Sequence, residues 1–224
     1  MIATKTLNNY YWLEEGRRYL ATRNLALGER VYGEKLHYVK GVEYRQWDPY
    51  RSKLAAAIMK GLADCHLHSG MSVLYLGAAS GTTASHVSDI VGEEGNVYCI
   101  EFAPRPMRDL INVCEKRPNM HPLLADALRP EAYADKVGKI DFIYQDIAQP
   151  EQAKILNENA NALKLQKGMH ALMAIKAPSI DVSMSTADIF KKELAELKKE
   201  FEVESQLVLE PYDKEHLFVS LTKK

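Results

Sequence analysis

The sequence predicts an α/β fold. A seven-stranded, mainly parallel sheet ends in a C-terminal antiparallel hairpin, and a small β-rich region precedes it. Three observations predict this. From Val73 onward, apolar runs alternate with segments whose apolar residues recur at helical spacing, and strand–helix alternation builds a parallel sheet covered on both faces. The last two apolar runs are separated only by residues 210–216, too few for a parallel crossover, so they pair antiparallel. The first 50 residues lack the alternation and hold short β-rich runs around turn residues.

The elements follow in order. Residues 10–13 and 19–22 flank Glu14-Glu15-Gly16-Arg17-Arg18 and read as a β-hairpin. Further β-like pieces lie at 31–32 and 36–39. A helix is expected from about Pro49 to Lys60, with Leu54, Ile58 and the alanines inward. Strands are expected over 73–76, 97–102, 121–125, 140–144, 171–175, 202–209 and 217–221. Between them, Val87, Ile90 and Val91 share one face of a helix over 83–91 that Gly92 can end. Met107, Leu110, Ile111 and Cys114 mark a helix over 105–117. Pro150 suits the first position of a helix over 150–165, with Gly168 beyond it. Phe190, Leu194, Leu197 and Phe201 step by four, three and four, and Ser185 suits the start of that helix. The expected division is a β-rich region over 1–50 and an α/β domain over 51–224.

Composition narrows the class. Of the 224 residues, 46% are hydrophobic and 26% charged, which suits a soluble globular chain with a sizeable core. Cys65, Cys99 and Cys114 cannot all pair and form no C-x-x-C, so a reduced compartment is expected. No stretch has the length of a membrane span and the N-terminus lacks a signal-peptide core, so a cytoplasmic protein without a membrane partner is expected. The net charge of −1 hides an asymmetry: residues 1–60 hold 11 basic and 6 acidic side chains, the remainder 18 and 24. A basic quarter on an acidic body fits an anionic partner such as RNA, or a solvated surface with chance clustering.

In a sheet of this kind ligands sit at the carboxyl ends of the strands near the point where strand order reverses. The first of these strands runs into Gly77-Ala78-Ala79-Ser80-Gly81, followed by Thr82-Thr83. The dinucleotide fingerprint has three glycines, the middle one giving room for a pyrophosphate. A turn without it suits a ligand without a diphosphate, with S-adenosylmethionine as the candidate, although such small residues also make plain tight connections. The next strand ends in Glu101-Phe102, where an acid can accept from a ribose diol and a ring can cover an adenine. Others end in Asp126-Ala127, in Asp146 with Gln149 nearby, and in Lys176. Singly, each acid reads as a cap or loop ion pair; together they form a ligand site. A seven-stranded sheet with a terminal hairpin is that of Rossmann-like methyltransferases, and it disfavours a dehydrogenase. His66 and His68 adjoin Cys65, but no second cluster has zinc-site spacing, so no metal is expected. His216, alone at the start of the last strand, reads as structural when taken by itself.

Longer blocks carry a family resemblance. They are Tyr44-Arg45-Gln46-Trp47-Asp48-Pro49 running into Arg51-Ser52-Lys53-Leu54-Ala55-Ala56-Ala57-Ile58, residues 73–91, Arg108-Asp109-Leu110-Ile111, Gln145-Asp146-Ile147-Ala148-Gln149-Pro150, Ile175-Lys176-Ala177, and Leu209-Glu210-Pro211-Tyr212 up to His216. In this order they resemble fibrillarin, the methyltransferase of box C/D ribonucleoproteins, over nearly the whole chain. The missing Gly/Arg-rich tail makes the chain similar to archaeal members, which implies cytoplasmic particles. The resemblance implies RNA-guided ribose 2′-O-methylation of rRNA and tRNA with S-adenosylmethionine as cofactor. The partners it implies are a box C/D guide RNA, the target RNA, a Nop-type scaffold protein and a kink-turn RNA-binding protein. It implies that Gly77, Ala79, Thr82, Thr83, Glu101, Phe102, Asp126, Ala127, Asp146, Ile147, Ala148 and Gln149 contact the cofactor, and that Lys53, Asp146, Lys176 and His216 form the catalytic set. Asp146 is then the candidate to orient the 2′-hydroxyl and accept its proton. Two adjacent lysines would repel and lower one pKa, which would make Lys176 an alternative base and leave Lys53 to hold phosphate or the aspartate. A methyltransferase of the same fold acting on protein or a small molecule, or a non-catalytic scaffold subunit, are the competing readings.

Overall fold

A computed structural model describes all 224 residues. The N-terminal region is an antiparallel sheet of β1 (Ile2–Lys5), β2 (Tyr10–Glu15), β3 (Arg17–Arg23), β4 (Leu36–Val39) and β5 (Val42–Gln46), in the order β1-β2-β3-β5-β4. The β2–β3 hairpin turns tightly at Gly16, whose φ of +71° is one that glycine adopts without strain. Two of these strands are absent from the sequence reading. β1 is an almost wholly exposed edge strand, and β5 buries Glu43 and Arg45, so neither shows an apolar alternation. The expected β-piece at 31–32 is not a strand. Tyr32 serves there as an anchor: its hydroxyl donates to the Gln46 carbonyl at 3.1 Å and lies 2.8 Å from His86 Nε2.

The helix α1 (Lys53–Met59) begins later than Pro49 because Ser52 caps it, its hydroxyl accepting from the Ala55 amide. Lys53 is thereby its first residue. The remaining elements are β6 (Ser72–Leu76), α2 (Thr82–Val91), β7 (Asn96–Glu101), α3 (Pro104–Glu115), β8 (Met120–Leu124), β9 (Phe142–Gln145), α4 (Gln152–Ala162), β10 (His170–Lys176), α5 (Ala177–Ile180), α6 (Thr186–Leu197), β11 (Phe201–Val208) and β12 (His216–Lys223). Pro150 lies outside α4, which starts after Glu151. Phe201 opens β11 instead of closing α6, although Ser185 caps α6 as expected, accepting from the Asp188 amide.

The large sheet has the order β11-β12-β10-β9-β6-β7-β8. The strands from β8 to β10 run parallel to their neighbours, and β12 pairs antiparallel with both β10 and β11. The order reverses between β6 and β9, which is the topological switch point. Alternate residues face opposite layers: Val73 and Tyr75 of β6 join the core with α1 and α2, while Leu74 and Leu76 join the core with α4. All three cysteines are free and buried.

The small sheet is tied to α2 by buried ions. Arg45 meets Glu34 at 2.6 Å and Asp89 at 2.9 Å, and Arg117 meets the same Asp89 at 2.5 Å. These charges are fully desolvated, so losing one would strand the others. Part of the basic N-terminal charge is therefore structural and never reaches a partner. No helix is long and apolar enough to cross a membrane.

Candidate active site

The switch point places two strand ends side by side. β6 runs into Gly77, and β9 into Asp146, whose amide donates to the Leu76 carbonyl at 2.9 Å. A Cβ on Gly77 would lie 2.8 Å from the Asp146 carbonyl oxygen, so only glycine allows this approach. Gly81 then caps α2 in the left-handed conformation, and α2 begins with its free amides at the turn.

A cavity of about 180 Å³ opens there, lined by Gly77, Ala79, Ile100, Glu101, Phe102, Ala125, Ala127, Asp146, Ile147, Ala148, Gln149 and Lys176. Nine of the expected cofactor residues stand in this wall. Ile100 and Ala125 were not anticipated; both are apolar strand residues with no chemical signature. Glu101 is buried and accepts from the Ala79 amide at 2.9 Å with one oxygen and from the Ala103 amide at 2.8 Å with the other. A carboxylate offers about four lone-pair sites, so two remain for a diol. Phe102 stands 63% exposed at the rim, free to cover a ring. Asp126 lies behind the wall, accepting from the Leu128 amide at 3.0 Å and touching Gln149 Nε2 at 3.5 Å.

Three expected cofactor residues do not line this cavity. Asp126 is one. Thr82 instead borders a more open hollow that includes Arg51 and Ser80. Thr83 is buried and its hydroxyl donates to Ser52 at 3.0 Å, so it bonds the α2 start to the α1 cap.

The polar end of the site gathers around Asp146. Lys176 Nζ lies 2.7 Å from Asp146 Oδ1 and donates to the Asp146 main-chain oxygen at 2.9 Å. Lys53 Nζ reaches Asp146 Oδ1 at 3.2 Å from the other side. Burial alone would lower the Lys53 pKa, but the carboxylates of Asp146 and Asp213 outweigh it and raise it. Lys53 is therefore a standing ammonium and not a base. The two lysines do not simply repel, since one carboxylate lies between them. Asp146 Oδ1 is buried between the two ammonium groups, both in ion-pair contact with it. It is an acceptor with charge beside it and a lone pair to spare.

His216 joins this set only indirectly. It is the Cα partner of Lys176 across β10 and β12. Its ring turns toward Asp213, with Nδ1 3.1 Å from Asp213 Oδ1, and the other Asp213 oxygen is 3.4 Å from Lys53 Nζ. Asp213 is not among the expected site residues; in the sequence its one signal is a carboxylate three residues before His216 in a short hairpin turn. Elsewhere, His66 meets His170 and Glu204 and not His68. The two rings stack with centroids 3.7 Å apart and planes parallel within 1°, so their lone pairs do not converge on one ion.

The site fits S-adenosylmethionine by its donors and acceptors. Gln149 Oε1 is buried without a hydrogen-bond partner in a cavity wall otherwise largely apolar. Comparison with known proteins identifies the lineage. The fibrillarin family model matches residues 2–224.

The chain belongs to the fibrillarin family.

Among its fibrillarin relatives, the "fibrillarin-like rRNA/tRNA 2′-O-methyltransferase" of Pyrococcus furiosus is 52% identical over 207 residues, covering 92% of this chain and 91% of the relative. The fibrillarin of Aeropyrum pernix, solved with natively bound S-adenosyl-L-methionine, superposes with a TM-score of 0.91 at 44% identity, covering 99% of this chain and 98% of that one. A fibrillarin from a complex with Nop5p superposes with a TM-score of 0.88 at 39% identity, covering 99% and 100%.

Proposed function

We propose that this fibrillarin family member transfers methyl from S-adenosylmethionine to ribose 2′-hydroxyls of rRNA and tRNA. It would act as the catalytic subunit of a particle with a box C/D guide RNA, a Nop-type scaffold and a kink-turn-binding protein. The observation that carries the reading is Asp146 Oδ1, a carboxylate oxygen held between the Lys53 and Lys176 ammonium groups in the wall of a cavity with cofactor-type acceptors. The names of the relatives, the cofactor bound to the Aeropyrum pernix fibrillarin and the Nop5p complex support the substrate, the cofactor and the scaffold.

When bound, S-adenosylmethionine supplies a methyl group already activated on a sulfonium. The protein's remaining tasks are alignment and proton removal. Asp146 Oδ1 accepts a hydrogen bond from the 2′-hydroxyl and so aims its oxygen lone pair at the methyl carbon. As the carbon–oxygen bond forms and the carbon–sulfur bond breaks, the hydroxyl becomes a strong acid. The proton then passes to Asp146. Lys53 stays charged throughout and holds the carboxylate in place. A non-catalytic scaffold would not need such an oriented carboxylate.

The cofactor reading has its own test. Calorimetry with S-adenosylmethionine should show at least about tenfold weaker binding for Glu101→Ala, the size of one lost charge-assisted contact. Glu101→Gln, which keeps an acceptor toward only one of the Ala79 and Ala103 amides, should bind between Glu101→Ala and wild type. Unchanged affinity in a folded Glu101→Ala protein removes Glu101 from the site.

The function itself is tested with labelled S-adenosylmethionine and target RNA. Free protein should methylate RNA poorly, and the particle assembled with guide RNA and partner proteins should methylate it efficiently at the guided ribose. Equal rates for both would show that the chain selects its own substrate, and no transfer in the assembled particle would overturn the reading.

A further inference from the structure

We propose that Asp213 is a positioning residue of the transfer site, fixing Lys53 against Asp146 and joining the His216 ring to the same charge network. The proposal rests on the methyltransferase reading above. Its basis is geometric. Asp213 uses its two oxygens on two different members of the site: Oδ2 lies 3.4 Å from Lys53 Nζ and Oδ1 lies 3.1 Å from His216 Nδ1. His216 has no other ionic partner, and no hydrogen bond links it to Lys53, Asp146 or Lys176. Without Asp213 the histidine is disconnected from the chemistry.

The contacts also fix the tautomer. His216 Nδ1 faces two acceptors, the Asp213 carboxylate and the Lys214 main-chain oxygen at 2.5 Å. Two acceptors at one nitrogen require a proton there. The neutral ring therefore carries its lone pair on Nε2, and the ring orientation is set by the 210–215 turn. Lys53 is held from both sides. Its ammonium sits between Asp146 at 3.2 Å and Asp213, so it cannot swing away when a hydroxyl arrives at Asp146. Asp146, Asp213, Lys53 and Lys176 balance in formal charge, and this lets a partly buried cluster exist without a net ion. The carboxylate that does this is 36% exposed, against 19% for Lys53 and 14% for His216. An ion pair with so exposed a partner contributes little to folding. Asp213 therefore orders the site more than it holds the fold together.

This separation makes the proposal testable. Asp213→Asn and Asp213→Glu are to be compared with wild type in the assembled particle, at saturating cofactor and RNA, in single turnover across pH. Asp213→Asn should melt at nearly the wild-type temperature and bind S-adenosylmethionine normally, and its rate should fall at least about tenfold, equal to about 1.4 kcal/mol in the barrier. The alkaline limb of its profile should move to lower pH. Lys53, which faces Asp146, Asp213 and, across Asp146, the Lys176 ammonium, then keeps one carboxylate where it had two. Asp213→Glu should recover most of the rate and the position of the limb. A wild-type rate in Asp213→Asn overturns the proposal while leaving the methyltransferase reading intact. So does a slower rate with an unmoved profile, because charge would then not be what Asp213 contributes. A wild-type particle that transfers no methyl removes the reading, and this proposal with it.

Discussion

Asp146→Ala is expected to reduce methyl transfer by at least about 10²–10⁴-fold, the range that positioned acid–base groups supply. Asp146 is the one residue that touches both lysines, at 3.2 and 2.7 Å, and its side chain is only 15% exposed. Removing it deletes the acceptor for the hydroxyl proton. It also leaves two ammonium groups facing each other in a half-buried pocket, so Lys53 and Lys176 should separate or one should lose its proton. Cofactor binding should weaken as well, because the alanine leaves two uncompensated ammonium groups beside a cationic sulfonium in this cavity. Asp146→Asn separates these effects. It keeps the shape and an acceptor oxygen for the ammonium groups, so calorimetry should give cofactor affinity nearer to wild type than the alanine variant's, while single-turnover rates should fall almost as far as in the alanine variant. Wild-type turnover in Asp146→Asn would mean that the carboxylate is not the acceptor.

The sequence reveals the large sheet because of how that sheet is covered. Strands buried on both faces must be largely apolar, as Val73–Leu76 of β6 and Phe142–Tyr144 of β9 are, and the short 210–215 connection leaves only an antiparallel geometry for the last pair. The small sheet is harder to read because its packing is polar. Arg45 occupies a core position by pairing with Glu34 and Asp89, and a pattern of apolar residues cannot register that. Helix starts shift for local reasons: Ser52 caps α1, and α4 waits until Gln152, beyond the Ala148-Gln149 segment of the cavity wall. For the site, strand ends identify Glu101, Asp146 and Lys176, since topology converts these positions into neighbours. Lys53 and His216 come from the family resemblance. Thr83, also from the resemblance, donates its hydroxyl to Ser52 in this structure. Asp213 is illegible for a different reason. Its partner Lys53 lies on a helix far away in the chain, and only the folded hairpin turn brings the two together.

Lys176→Ala is expected to lower turnover by about 10²–10⁴-fold while leaving the fold and particle assembly nearly intact. The main chain at this position does not depend on the lysine side chain. Gln152, fully buried, accepts from the Lys176 amide at 2.9 Å and donates to the Lys176 carbonyl at 3.2 Å, so the end of β10 stays clamped in the variant. What disappears is the ammonium at 2.7 Å from Asp146 Oδ1 and its second bond, at 2.9 Å, to the Asp146 main-chain oxygen. The first contact fixes the carboxylate toward the hydroxyl. The second braces the backbone at Gly77, where a Cβ would stand 2.8 Å from that same carbonyl oxygen. With Lys53 still present, Asp146 keeps one counter-ion and remains in the pocket, but it is free to rotate away from the reacting oxygen. The loss should therefore appear in the single-turnover rate at saturating cofactor, with calorimetric affinity for S-adenosylmethionine close to wild type because Glu101 and Gln149 are untouched. The reverse pattern, weak cofactor binding with a wild-type single-turnover rate at saturation, would make Lys176 a binding residue and remove it from the chemistry.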